Sequence, residues 1–126
     1  MEYQSKELIK IRKTGDKIEF KILLFIKNNT RSSIKNIQLI EFVPNYIKVV
    51  SFETLKPIQT EKGKNLTRMI WNIGELVKGE ERIISYKGEI ETKFIGRLSL
   101  PQATLKYKNI RNKVCHIKSN RVVIPV

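Results

Sequence analysis

Apolar and polar positions alternate with a period of two from one end of this chain to the other, and no segment carries the spacing of an amphipathic helix. The clearest case follows the turn Thr14-Gly15-Asp16. Ile18, Phe20, Ile22, Leu24 and Ile26 point one way, while Glu19, Lys21 and Lys27 point the other. Leu23 and Phe25 join that second side, so this strand is expected to lie centrally in a sheet or beneath a covering loop. Further strands are predicted over 8–13, 36–43, 47–52, 67–73, 81–90, 96–107 and 112–124. Residues 28–33 (Asn-Asn-Thr-Arg-Ser-Ser) read as a loop, and 53–66, with Pro57, Gly63 and many polar groups, as a long mobile one. Pro101 calls for a bulge or a switch between sheets, and Lys118-Ser119-Asn120 breaks the alternation of the last strand. About eight short strands divided by turn chemistry predict an all-β fold, and strand spacing alone leaves sandwich and barrel both open.

Composition narrows the class. A chain of 126 residues with 40% hydrophobic and 29% charged content is one ordered domain, spanning 1–126. The longest apolar run, Ile22 to Ile26, falls far short of the roughly 20 residues that cross a bilayer as a helix. No secretory signal precedes the first strand, which fits either a cytosolic protein or a module cut from a longer exported chain. The single Cys115 excludes an internal disulfide, so packing alone must hold the core. Net charge is +13, unevenly spread: residues 1–60 hold 11 basic and 6 acidic groups, 61–92 hold 6 of each, and 93–126 hold 8 basic groups and no acid. Such a cluster attracts polyanions.

Four motifs occur in order. The first is Gly15-Asp16 with its alternating strand, ending at Asn28-Asn29. The second is Glu41-Phe42-Val43-Pro44. The third runs from Trp71-Asn72-Ile73-Gly74-Glu75-Leu76 through Gly79-Glu80 to Tyr86, and the fourth is Ser119-Asn120-Arg121-Val122-Val123. Together they resemble the conserved repeat domain of unknown function, number eleven of its series, of archaeal and bacterial surface proteins. The resemblance covers most of the chain. It implies an immunoglobulin-like Greek-key β-sandwich of about 7–8 strands and a place outside the cell, with no catalytic residues to transfer. The basic last third and the long 53–66 segment depart from the pattern.

Residues that carry chemistry elsewhere have plainer readings here. Trp71, with Met69 and Ile73 on its own face, is expected to anchor the core rather than to offer a stacking platform. Cys115 and His116 are adjacent in a strand and point to opposite faces, so they cannot act as a nucleophile–base pair, and His116 has no second histidine with which to hold zinc. Asp16 is the sole aspartate. Glu75, Glu80, Glu81, Glu89 and Glu91 lack the spacing of a calcium loop and read as a solvated face with lysine partners. No metal or cofactor is called for. Asn28 and Asn65 head N-glycosylation sequons.

The sharpest lead is basic: Lys10, Arg12, Arg97, Lys106, Lys108, Arg111, Lys113, Lys118 and Arg121 are expected to supply an anion-binding surface. A hairpin joins the last two strands, and the first strand, with Lys6, lies near it. The opposing reading is solubility and protection of an edge strand. The expected role is therefore a non-enzymatic structural or interaction module of the cell surface or envelope. Its partner would be a protein, an acidic glycan or an anionic lipid surface. The alternatives are a cytosolic binder of nucleic acid without sequence preference, or an assembly subunit that pairs β-edges.

Overall fold

The structure, a computed structural model, describes residues 3–91 and 97–125, and the side chains of these except 3–5, 10–12, 14, 97, 98 and 125. The described residues form eleven strands: β1 (Tyr3–Thr14), β2 (Lys17–Lys27), β3 (Ile34–Pro44), β4 (Lys48–Phe52), β5 (Gln59–Lys62), β6 (Leu66–Leu76), β7 (Glu81–Glu91), β8 (Arg97–Leu100), β9 (Thr104–Lys108), β10 (Val114–Lys118) and β11 (Val122–Pro125). One sheet has the order β1-β2-β7-β4 and a second the order β10-β9-β3-β6-β5, while β8 and β11 form a two-stranded ribbon. β11 lies beside β1, at the edge of the first sheet. All pairings are antiparallel.

The two sheets face each other because their alternating residues supply two apolar inner faces. Ile18, Phe20, Ile22, Leu24 and Ile26 of β2, with Ile84, Tyr86 and Ile90 of β7, meet Ile37, Leu39 and Val43 of β3 and Met69 and Trp71 of β6. Each such large apolar side chain contributes about 1.5–3 kcal/mol on burial. β2 lies between β1 and β7, which gives its apolar outer residues Leu23 and Phe25 their central position. Trp71 is fully buried, packed near-parallel on Tyr86 and edge-on against Phe52, and its indole Nε1 donates to the Leu55 carbonyl at 2.8 Å.

Two strand bounds differ from expectation, and the two expected irregularities appear as full breaks. Segment 53–66 is not wholly a loop: Gln59–Lys62 forms β5 on the edge of the second sheet. The predicted strand at 96–107 divides around Pro101. Its first half, β8, pairs with β11, and its second half, β9, pairs with β3 and β10. The predicted strand at 112–124 divides at Ser119-Asn120 in the same way, so eleven strands replace about eight. Finally, β1 begins at Tyr3 rather than near Leu8, because Lys6 takes an inward position that an apolar count overlooks.

Candidate functional site

Several polar residues of the four motifs, Asn28, Glu41, Tyr86 and Asn120 among them, tie the sandwich together. Glu41 alternates with Leu39 and Val43 along β3, so its carboxylate points into the core and is fully buried. Lys6 of β1 enters from the other layer. Its Nζ lies 2.8 Å from Glu41 Oε2, donates to Oε1 at 2.9 Å, and reaches the Pro101 carbonyl at 3.0 Å. Tyr86 donates its hydroxyl to Glu41 Oε2 at 2.8 Å, and the Phe42 amide donates to Oε1 at 3.1 Å. Burial pushes the Glu41 carboxyl above its ordinary range, against the pull of the Lys6 ammonium. Burial, and then the Glu41 charge, push the Tyr86 phenol well above 10.0. The buried polar side chains of this group bond one another, as a low-dielectric interior requires.

Two asparagines make similar ties. Asn28 is buried at the end of β2. Its Nδ2 donates to the Ser32 and Leu76 carbonyls at 2.9 Å each, and its Oδ1 accepts from the Thr30 amide and hydroxyl. Its backbone bonds Glu80 and Gly79 in the β6–β7 turn. A glycan on Asn28 would need this nitrogen, and both of its hydrogens are engaged inside the fold. Asn65 is exposed beside β6. Asn120 grips the backbone of Lys6 in both directions at 2.8 Å, much as a neighbouring strand would.

Five acids outside the core are paired. Glu53 meets Lys21 and Lys87, Glu61 meets Arg68, Glu80 meets Arg82, Glu81 meets Lys27, and Glu89 meets Lys17. The Lys21 hydrogen bond holds the Glu53 carboxyl below its ordinary range, and the Val77 amide does the same for Glu80. Among the described residues, no three His, Cys, Asp or Glu side chains gather to hold a metal ion.

The C-terminal hairpin, by contrast, carries basic residues and no acid. β9 and β10 pair as expected, with His116 opposite Lys106, Lys118 opposite Thr104 and Val114 opposite Lys108. Leu105 and Tyr107 are buried, so Lys106 and Lys108 point outward. Arg111 and Lys113 occupy the tip, Lys118 the far end of β10, and Arg121 the exposed step before β11. Among the described residues, none of these six cations has a carboxylate within ion-pair distance. The side chains of Lys10, Arg12 and Arg97 lie outside the described residues. Lys6 does not join the cluster, because it is buried on Glu41. Lys35, which sequence reasoning missed, does join it: the register sets Lys35 opposite Lys108, beside a bulge at Asn36. Two like charges face each other there, at some cost to the sheet. Only the pairing of β3 with β9 reveals this contact.

No family model matches the chain, and no curated protein matches it. Solved structures do. The non-cellulosomal cohesin of the hyperthermophilic archaeon Archaeoglobus fulgidus superimposes with a TM-score of 0.52 at 14% identity, over 94% of this chain and 88% of that one. The two share the sandwich fold. A GH20 exo-β-N-acetylglucosaminidase from Vibrio harveyi gives 0.49 at 9% identity over 93% of this chain, which spans only 17% of the enzyme's length. A chitin-binding domain from Streptomyces coelicolor gives 0.45 at 15% identity, over 69% of this chain and 80% of the domain.

Proposed function

We propose that this chain is a non-enzymatic structural and interaction module of a cell surface or envelope, related to the surface repeats its motifs resemble, and that the basic side of its C-terminal hairpin contacts an anionic partner. The observation that carries this reading is the concentration of charge of one sign: residues 93–126 hold 8 basic groups and no acid. Glu53, Glu61, Glu80 and Glu81 stand beside lysines and arginines, while Lys106, Lys108, Arg111, Lys113, Lys118 and Arg121 face water without a carboxylate among the described residues. Asn28, Asn120 and Glu41 are engaged in holding strands, and the exterior basic side is read as the contact surface. A fold shared with a protein named a cohesin is in keeping with that role.

The test is retention on anionic and neutral supports at about 150 mM salt, where the Debye length is about 8 Å. The protein is expected to stay on the anionic support and to elute as salt rises. A variant with the six cations changed to glutamine is expected to pass through. Equal passage of the native protein through both supports would overturn the reading.

A further inference from the structure

Four cations, Lys35, Lys108, Arg111 and Lys113, and three exposed aliphatic side chains, Val77, Ile110 and Val114, meet at one end of the sandwich. Registers place it: Lys27 lies opposite Glu81, Ile34 opposite Leu76, and Lys108 opposite both Val114 and Lys35. The β2–β3 loop, the β6–β7 turn and the β9–β10 tip therefore share an end. They are in contact there. Asn28 bonds Leu76, Gly79 and Glu80, and one depression is lined by Ser33, Lys35, Glu75, Asn109, Ile110 and Asn112. Ile110, at 76% exposure, is the most exposed large apolar residue described, and Val77 and Val114 are more than half exposed at the same end.

The tips are built rigidly. Asn109 Oδ1 accepts from the Arg111 and Lys113 amides, and the Asn109 carbonyl accepts from the Asn112 amide. Asn112 supplies the positive φ of 62°. In the second turn, Val77 and Glu80 bond each other through backbone and carboxylate. Ile110 thus stands on a preformed turn with no interior to fold into. Around it stand Lys35, Lys108, Arg111 and Lys113. The acids at this end are Glu80 and Glu81, which are paired with Arg82 and Lys27, and Glu75, which lines the depression without an ion pair among the described residues.

Aliphatic side chains on rigid tips ringed by cations suit one partner chemistry, a bilayer surface with anionic headgroups: the cations lie at headgroup depth and the aliphatics at the acyl boundary. A nucleic acid would instead want exposed aromatic rings for stacking, and none is described at this end. We infer that this end of the sandwich docks on an anionic lipid surface, with Ile110 as its apolar wedge and Lys108, Arg111 and Lys113 as its charge contacts. The inference rests on the anionic-partner reading and narrows it.

Flotation with vesicles of phosphatidylcholine and about 30% phosphatidylglycerol at about 100 mM salt tests it, with pure phosphatidylcholine vesicles, polygalacturonate and a single-stranded oligonucleotide as parallel probes. The native protein is expected to float with the anionic vesicles only. Ile110→Ser is expected to weaken binding about tenfold. Replacing Lys108, Arg111 and Lys113 together by glutamine is expected to weaken it about a hundredfold, or roughly fivefold per charge. Lys118→Gln, about 14 Å from Val114 along β10, is expected to change it less than about threefold. In Ile110→Trp, fluorescence added to that of the buried Trp71 is expected to shift to the blue on anionic vesicles. Unchanged binding by Ile110→Ser, together with an unshifted added signal in the Ile110→Trp variant, would overturn the wedge. Binding of polygalacturonate or oligonucleotide without vesicles would overturn the lipid assignment and leave the anionic-partner reading standing, and failure of all probes would overturn both.

Discussion

At the scale of single residues, the decisive group is Glu41. A carboxylate in the core is tolerated because Lys6, Tyr86 and the Phe42 amide surround it. Removing one side of such a pair strands the other, so Lys6→Met is expected to cost about 3 kcal/mol in denaturant unfolding, whereas Lys6→Met with Glu41→Leu is expected to recover most of that loss. The Tyr86 phenol gives a pH signature. In the folded protein it keeps its proton through the range near 10 where a free tyrosine ionises, while the unfolded chain gives its proton up. The contribution is therefore whole below about pH 10 and is lost as pH rises toward the folded value. Thermal melting from about pH 8 to about pH 11 is expected to show that decline, and Tyr86→Phe is expected to flatten it. Glu41 has the same sign: its contribution is complete in acid and falls as pH rises through its raised folded value. Gly88 matters for its missing side chain. A Cβ there would stand 2.7 Å from Phe20 Cζ and 3.2 Å from Ile47 Cγ2, so Gly88→Ala is expected to destabilise by about 1–3 kcal/mol.

At the scale of elements, turns and strand switches set the architecture. Asn28 replaces missing strand pairing at the β2–β3 corner with four side-chain hydrogen bonds, and Asn28→Ala is expected to lower stability by about 2 kcal/mol in urea unfolding. Much of this level was legible in the sequence. The alternation in β2 marked its inner face, Trp71 its core position, and Pro101 and Lys118-Ser119-Asn120 the two breaks where the chain changes sheets. β5 was not legible, because Gln59-Thr60-Glu61-Lys62 is wholly exposed and its strand form comes from pairing with β6. The Lys6–Glu41 pair was only half legible. The inward parity of Glu41 flags a buried acid, but which cation answers it depends on how β1 lies against the opposite layer. The Lys35–Lys108 contact depends likewise on a register between strands far apart in sequence.

At the scale of the whole molecule, the charge is segregated. The first sheet carries ion pairs such as Lys21 with Glu53 and Lys27 with Glu81, while residues 93–126 hold 8 basic groups and no acid. Association with an anionic surface is therefore expected to have one orientation, hairpin side first, and to weaken steeply between about 50 and 300 mM salt. Crosslinking from single cysteines placed at Arg111 and at Asp16, in a Cys115→Ser background, would check this. The first is expected to reach the surface and the second to remain free.

The clasp between β1 and the start of β11 has a mechanical consequence. Asn120 grips the backbone of Lys6 while the side chain of that same lysine is plugged into the interior. Tension drawn along the polypeptide would load this clasp together with the β1–β2 ladder, and slipping the clasp means dragging an ammonium out through oil-like surroundings. A pulling experiment is expected to show a sharp rupture peak that shrinks in Lys6→Met.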